Sequence, residues 1–139
     1  MPEIVIADEN LIPFWTSLDR HISAEELKNI MGLKRCAVIK EKGEPLGIMR
    51  WGLFWDEIPF LNLIFIKEGH RRRGLGRAFM DYFESTMRNN GFKVVMTSTR
   101  SDEQAQHFYR HLGYKDTGSL ILEDQPTEII LIKPLNLSI

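Results

Sequence analysis

Three consecutive arginines, Arg71, Arg72 and Arg73, run directly into Gly74-Leu75-Gly76-Arg77 at the mouth of an apolar segment. Residues of these types at this spacing can do one particular piece of chemistry. A chain entering a helix leaves its first amide N–H groups unpaired at the positive end of the dipole, and that end attracts an anion. Gly74 and Gly76 carry no side chain, so the backbone can come close to a pyrophosphate, while the arginines add charge at the rim. The same residues also fit a solvated basic turn with a glycine bend, because short glycine motifs arise often by chance. Taken alone, the turn does not choose.

A second set lies in WGLFWDEIPF, where Trp51, Phe54, Trp55 and Phe60 crowd around Asp56 and Glu57. Aromatic walls with a carboxylate suit an ammonium group through ion pairing and cation–π contact. A hydrophobic hairpin with an exposed turn fits these residues equally well. His70, His107 and His111 fall on the arginine turn and on a helix, without cysteine or paired carboxylates at ligand spacing, so surface positions and no metal are expected. Cys36 is the only cysteine, which excludes an internal disulfide; in a strand far from the turn it is expected to be a reduced thiol with no catalytic part.

These residues need elements to hold them. A short first strand is expected over Glu3–Ala7, then a helix over Asn10–Ile22 with Leu11, Phe14, Trp15, Leu18 and Ile22 on one face. Ser23 with Glu26 forms a capping box for a helix stopped by Gly32. Cys36–Lys40 and Leu46–Trp55 read as strands joined by a hairpin turn at 41–45, and PFLNLIFIK as a strand buried on both faces. Leu75–Asn90 is an amphipathic helix ended at Asn90-Gly91, and Lys93–Thr99 a buried strand. Ser101 with Gln104 makes a second capping box for a helix that carries Ala105, Phe108, Tyr109 and Leu112 and stops at Gly113. Tyr114–Leu122 and Glu128–Lys133 are the last strands, with Gln125-Pro126 between them.

The whole is one α/β domain over 1–139. Hydrophobic content of 43% and charged content of 27% are those of a globular protein, and the net charge of -1 argues against a nucleic-acid partner. No signal peptide and no apolar run of membrane-spanning length are seen, so a cytoplasmic protein with no membrane partner is expected.

Read in order, Arg71-Arg72-Arg73-Gly74-Leu75-Gly76 has the form R-x-x-G-x-G after an apolar strand. Downstream, Ala105 through Tyr114 has the form A-x-x-x-Y-x-x-x-G-Y. The pair resembles the GNAT family of acetyl-CoA-dependent N-acetyltransferases over roughly Leu46 to the C-terminus. The resemblance implies a mixed, mostly antiparallel sheet of about six to seven strands, flanked by about four helices, with a splayed central strand pair. It implies acetyl-CoA as co-substrate, a small-molecule or peptide amine as acceptor, and leaves a homodimer open. It gives the pyrophosphate to Arg71, Arg72, Arg73, Gly74, Leu75, Gly76 and Arg77. The pantetheine arm and acetyl carbonyl fall to backbone groups of Leu63, Ile64, Phe65 and Ile66. Tyr109 takes the place that protonates the leaving thiolate.

The sequence departs from that pattern in two places. Asp102 stands near the CoA arm where many relatives have asparagine, and the strand Phe60-Leu61-Asn62-Leu63 lacks the carboxylate many relatives use as base. Asp56 and Glu57 are the nearest carboxylates, as a base acting through water or an anchor for a cationic amine. Tyr109 also fits a packing role beside Phe108 and Leu112. A CoA-binding module without turnover and a surface that docks an acidic protein are the rival readings.

Overall fold

Lys42 (φ 51°) and Gly43 (φ 79°) close the first hairpin as a two-residue loop with both residues left-handed, the geometry that matches strand twist. The hairpin's strands are β2 (Cys36–Glu41) and β3 (Glu44–Phe54). The computed structural model describes residues 2–136 of the chain. Before the hairpin come β1 (Glu3–Ile6), a 3-10 turn at Glu9–Leu11, α1 (Ile12–Leu18) and α2 (Ala24–Gly32). After it come β4 (Ile58–Ile66), α3 (Leu75–Asn89), β5 (Val94–Arg100), α4 (Ala105–His111), β6 (Lys115–Leu120) and β7 (Glu128–Pro134). The strands hydrogen-bond in the order β1-β2-β3-β4-β5-β7-β6. Most pairs with a defined register are antiparallel and β4 with β5 is parallel.

The chain forms two compact units: Met1–Gly52 with Asn62–Phe83, and Leu53–Leu61 with Glu84–Ile139. In the first, Trp15, Leu27, Met31, Cys36, Val38 and Ile48 make the buried cluster under β1, β2 and β3. In the second, β5, β7 and β6 pair in an antiparallel run. There the buried Glu84 carboxylate accepts from the Tyr114 hydroxyl at 2.9 Å and from Lys133 Nζ at 2.7 Å, which satisfies the charge.

The expected elements are present, with five local differences. The helix expected over Asn10–Ile22 ends at Leu18, because Asp19 turns extended and aims its carboxylate inward. α2 is capped by Ser23 as expected, yet Gly32 is its last residue and not its stop. The left-handed Lys34 ends it, with Lys34 N–H bonding the Met31 carbonyl and Arg35 N–H that of Ile30. Ser101 does not cap α4: Glu103 Oε1 accepts the Arg100 N–H at 2.9 Å, and Gln104 enters the helix with no side-chain cap. Finally, β4 is not buried on both faces, for only Pro59 and Leu61 are buried and Asn62 is exposed. β6 is shorter than expected, and all its residues are exposed.

Asp19 shows what holds the first unit. Its carboxylate accepts from the Trp15 indole at 3.1 Å, Arg50 Nε at 2.8 Å and the His21 N–H at 3.1 Å, and its side chain is 0% exposed. Burial pushes its pKa upward and is the largest single influence, but the bonds from Arg50, His21 and Trp15 outweigh it and hold the carboxyl below its ordinary 3.8. A folded pKa below the unfolded one means stability that is complete above the unfolded value and lost as pH falls through the folded one. Asp19→Asn should therefore cost about 2 kcal/mol at pH 7, with the gap to wild type shrinking as the pH is lowered below ~4. Urea unfolding across a pH series measures both.

Candidate functional site

β4 ends where Lys67 N–H bonds the Leu46 carbonyl at 2.7 Å, and the chain then turns toward α3 through left-handed Gly69 (φ 89°), Arg72 (φ 63°) and Gly74 (φ 80°). A Cβ on Gly74 would meet nothing within 4 Å, so glycine is required there for its dihedral and not for space. The first helical bond of α3 runs from Ala78 N–H to the Gly74 carbonyl at 3.0 Å. The amides of Leu75, Gly76 and Arg77 come before it and have no partner within the helix, which is the arrangement an anion needs.

The arginines divide their work. Arg71 Nε donates to the Ile66 carbonyl at 2.9 Å and its guanidinium lies 5.0 Å from the centre of the Phe65 ring. Arg73 pairs with the Glu41 carboxylate and contacts the His70 ring. Arg72 and Arg77 are exposed to water. A depression lined by Glu41, Lys42, Glu44, Leu46, His70 and Arg73 flanks the turn, and its two carboxylates make it a poor phosphate site.

Leu63, Ile64, Phe65 and Ile66, the outer half of β4, are apolar but only half-buried. Gly47 on β3 explains how closely the neighbouring strand approaches them: a Cβ there would stand 2.9 Å from the Phe65 carbonyl oxygen and 2.8 Å from Ile66 Cδ1. Sequence reasoning passed over Gly47, although a lone glycine inside a strand pattern signals a close backbone approach.

The second unit holds Tyr109. It is 5% exposed, packs edge-on against Tyr114 at 5.7 Å and lies 5.5 Å from Phe108. Burial pushes its phenol up to about 12; hydrogen bonding with the Thr97 hydroxyl works against this, and the charge of Glu103 works with it. Thr97 Oγ1 donates to the Leu61 carbonyl at 3.0 Å. That bond falls at the end of the β4–β5 ladder, whose register covers two positions, Phe60 with Met96 and Leu61 with Thr97. Sequence reasoning missed Thr97 too. The signal was available, because alternation along β5 puts Val95, Thr97 and Thr99 on one buried face.

The remaining candidates lie elsewhere. Asp56 and Glu57 are exposed in the β3–β4 turn, closed by the bond from Glu57 N–H to the Phe54 carbonyl at 3.0 Å. Trp55 (φ 55°) and Asp56 (φ 60°) are both left-handed there, and Trp55 is 75% exposed. Nine extended residues of β4, roughly 30 Å of strand, separate this turn in the chain from the arginine turn. Asp102 is held by a two-point pair with Arg100 at 3.1 and 2.9 Å. Cys36 is buried and its thiol is pushed up to about 12 by desolvation, so it is no nucleophile at neutral pH. Among the described residues no group of three or more His, Cys, Asp or Glu is placed to hold a metal ion, and no helix is long and apolar enough to cross a membrane.

Comparison with known proteins adds two findings. The model of the acetyltransferase (GNAT) family matches residues 6–114. The fold is that of solved structures with low sequence identity. Ard1 from Thermoplasma volcanium superposes with a TM-score of 0.85 at 21% identity, covering 97% of this chain and 98% of that one. The ribosomal-protein-S18-alanine N-acetyltransferase from Escherichia coli gives 0.82 at 18%, covering 99% and 96%. A GNAT family acetyltransferase from Elizabethkingia anophelis with acetyl-CoA bound gives 0.77 at 18%, covering 96% and 98%.

The close approach at Gly47 generates a test. Gly47→Ala must displace the Phe65 carbonyl or β3 itself, and should cost about 1–3 kcal/mol of stability in urea unfolding. The outer half of β4 moves with it, so affinity for acetyl-CoA by calorimetry should fall in the folded variant.

Proposed function

Because the chain belongs to the GNAT acetyltransferase family, and is therefore an acyltransferase enzyme whose acetyl donor is acetyl-CoA, we propose that it transfers the acetyl group directly to a primary amine in a ternary complex. The observation that carries this reading is the left-handed Gly74, which ends the turn after the half-buried strand β4 and leads into α3, leaving the Leu75, Gly76 and Arg77 amides for a pyrophosphate. Arg71, Arg72, Arg73 and Arg77 supply the positive rim. Arg71 and Arg73 would first release Ile66 and Glu41 to reach a phosphate. Backbone groups of Leu63, Ile64, Phe65 and Ile66 take the pantetheine arm, and an amide there stabilises charge on the acetyl oxygen, an effect commonly worth ~3 kcal/mol.

Tyr109 is the proposed donor to the departing sulfur. Its phenol, at about 12, stays protonated at neutral pH. It also lies roughly three pH units above an ordinary thiol near ~8.5, so full proton transfer from phenol to thiolate is uphill. Tyr109 thus acts first as a hydrogen-bond donor to the growing negative charge, and the proton crosses late in bond cleavage. Asp102 stays with Arg100 in this account, outside the site.

No carboxylate stands on β4, so the amine loses its proton to water. Asp56 and Glu57, exposed beside Trp55, take the lesser role of attracting a cationic acceptor and not that of a base in contact with it. An amine acceptor accords with the neighbour named for the alanine of ribosomal protein S18. The whole chain is proposed to work as one catalytic domain.

The direct test is thiol release from acetyl-CoA with a panel of primary amines and peptide N-termini. The reading requires amine-dependent release; binding of acetyl-CoA with no release under any amine would refute it. Tyr109→Phe should lower kcat about tenfold or more while acetyl-CoA affinity changes little. Equal kcat for variant and wild type would remove Tyr109 from the chemistry. For the acceptor, Asp56→Asn with Glu57→Gln should raise KM for a cationic amine several-fold and leave kcat and acetyl-CoA binding near wild type. Unchanged KM would mark the turn as a solvated loop.

A further inference from the structure

Glu84, Tyr114 and Lys133 form a charged network inside the second unit. Glu84 stands on α3 and is 6% exposed. One of its carboxylate oxygens accepts from the Tyr114 hydroxyl at 2.9 Å and the other from Lys133 Nζ at 2.7 Å. The same ammonium lies 5.6 Å from the centre of the Tyr114 ring, a cation–π contact. The ring is thus held at its tip by a carboxylate and on its face by a cation. Burial, with the charge and the hydrogen bond of Glu84, holds the Tyr114 phenol above its ordinary value, so it keeps its proton and stays a donor to Glu84. A buried ion pair is weak evidence of stability, because well-packed apolar residues of similar size often serve a fold as well or better. What the network supplies that apolar residues would not is a ring fixed in place. That ring meets Tyr109 edge to face, with centroids 5.7 Å apart and planes at 61°. Tyr114 N–H also bonds the Tyr109 carbonyl at 3.0 Å where α4 ends.

We propose that Tyr114, tied down by Glu84 and Lys133, is a positioning residue for Tyr109: it fixes the plane of the Tyr109 ring and with it the line along which the hydroxyl meets the leaving sulfur. The proposal rests on the reading of Tyr109 as the donor to that sulfur. In the step served, the amine nitrogen bonds to the acetyl carbon and the carbon–sulfur bond breaks with its electron pair going to sulfur. The Tyr109 proton moves to that sulfur, the proton shed by the amine returns through water to Tyr109, and the products are an amide and a thiol. A hydrogen bond to charge that grows on one atom depends steeply on direction, so a small swing of the donor ring is costly. Phenylalanine at 114 would keep the contact with Tyr109 but would have no tie at its tip to hold it in place.

Tyr114→Phe keeps the ring and removes the tie. Expected is a loss of kcat of about fivefold with KM for acetyl-CoA unchanged, while Glu84→Gln, which keeps an acceptor for the hydroxyl, retains most of the rate. A double-mutant cycle gives the readout that a structural role would not move: in the Tyr109→Phe background, Tyr114→Phe should cost no further kcat. Thermal melts confirm folding of each variant. If Tyr114→Phe melts early, its combination with Glu84→Leu and Lys133→Met replaces the whole network by apolar groups of similar size, and this folded variant should show the same loss of kcat. Wild-type kcat in either folded variant, or a loss that multiplies in full onto that of Tyr109→Phe, would overturn the proposal. Wild-type kcat in Tyr109→Phe is a separate result, which removes the donor reading itself and the role of Tyr114 with it.

Discussion

A parallel ladder that stops after two positions leaves strand backbone that must be satisfied in some other way, and that constraint organises what lies around β4. Buried N–H and C=O groups cost free energy unless they find partners. The Leu61 carbonyl, at the last position of that register, accepts from a side chain, Thr97. The Ile66 carbonyl finds one in Arg71. Between them, Leu63 to Ile66 stay half-buried, apolar in character and with backbone groups suited to a ligand that resembles a strand. The arm of CoA, with its amide groups in series, is the ligand proposed for them. Gly47 lets β3 come within contact of this same stretch.

Burial has opposite consequences in the two units. At Asp19 three donors overcome desolvation, and the carboxylate stays charged as a structural tie between α1 and β3. At Tyr109 desolvation wins, which keeps the phenol neutral and makes it a reluctant acid. In the role proposed for it, a reluctant acid can still be an effective hydrogen-bond donor where water is excluded, because the charge it meets has no competing solvent. Cys36 marks the limit of the trend: fully buried and without a partner to lower its pKa, its thiol is inert.

Much of this was legible in the sequence, where local chemistry decides. The Ser23 cap, the stop of α3 at Gly91 and the stop of α4 at Gly113 all came from residues whose dihedral or side chain leaves little choice. So did the R-x-x-G-x-G turn at the start of α3. Failures came where a distant partner or a competing local bond prevailed. Asp19 breaks its helix to meet Arg50, 31 positions away. Lys34 and not Gly32 turns left-handed, and where a Ser101–Gln104 capping box was expected Glu103 bonds the Arg100 amide and Gln104 has no side-chain cap bond. β4 reads as a fully buried strand because its residues are apolar, and nothing in that composition reports that its ladder ends at Leu61. The aromatic cluster around Asp56 suggested enclosure, whereas a left-handed turn exposes Trp55 at its tip.

The most direct measurement is a crystal structure of the protein with acetyl-CoA bound. The account predicts the pyrophosphate on the amides of Leu75, Gly76 and Arg77, the pantetheine arm along Leu63–Ile66, and the thioester sulfur within hydrogen-bonding reach of the Tyr109 hydroxyl. A pyrophosphate bound elsewhere, or a sulfur remote from Tyr109 with the acetyl group away from β4, would contradict it.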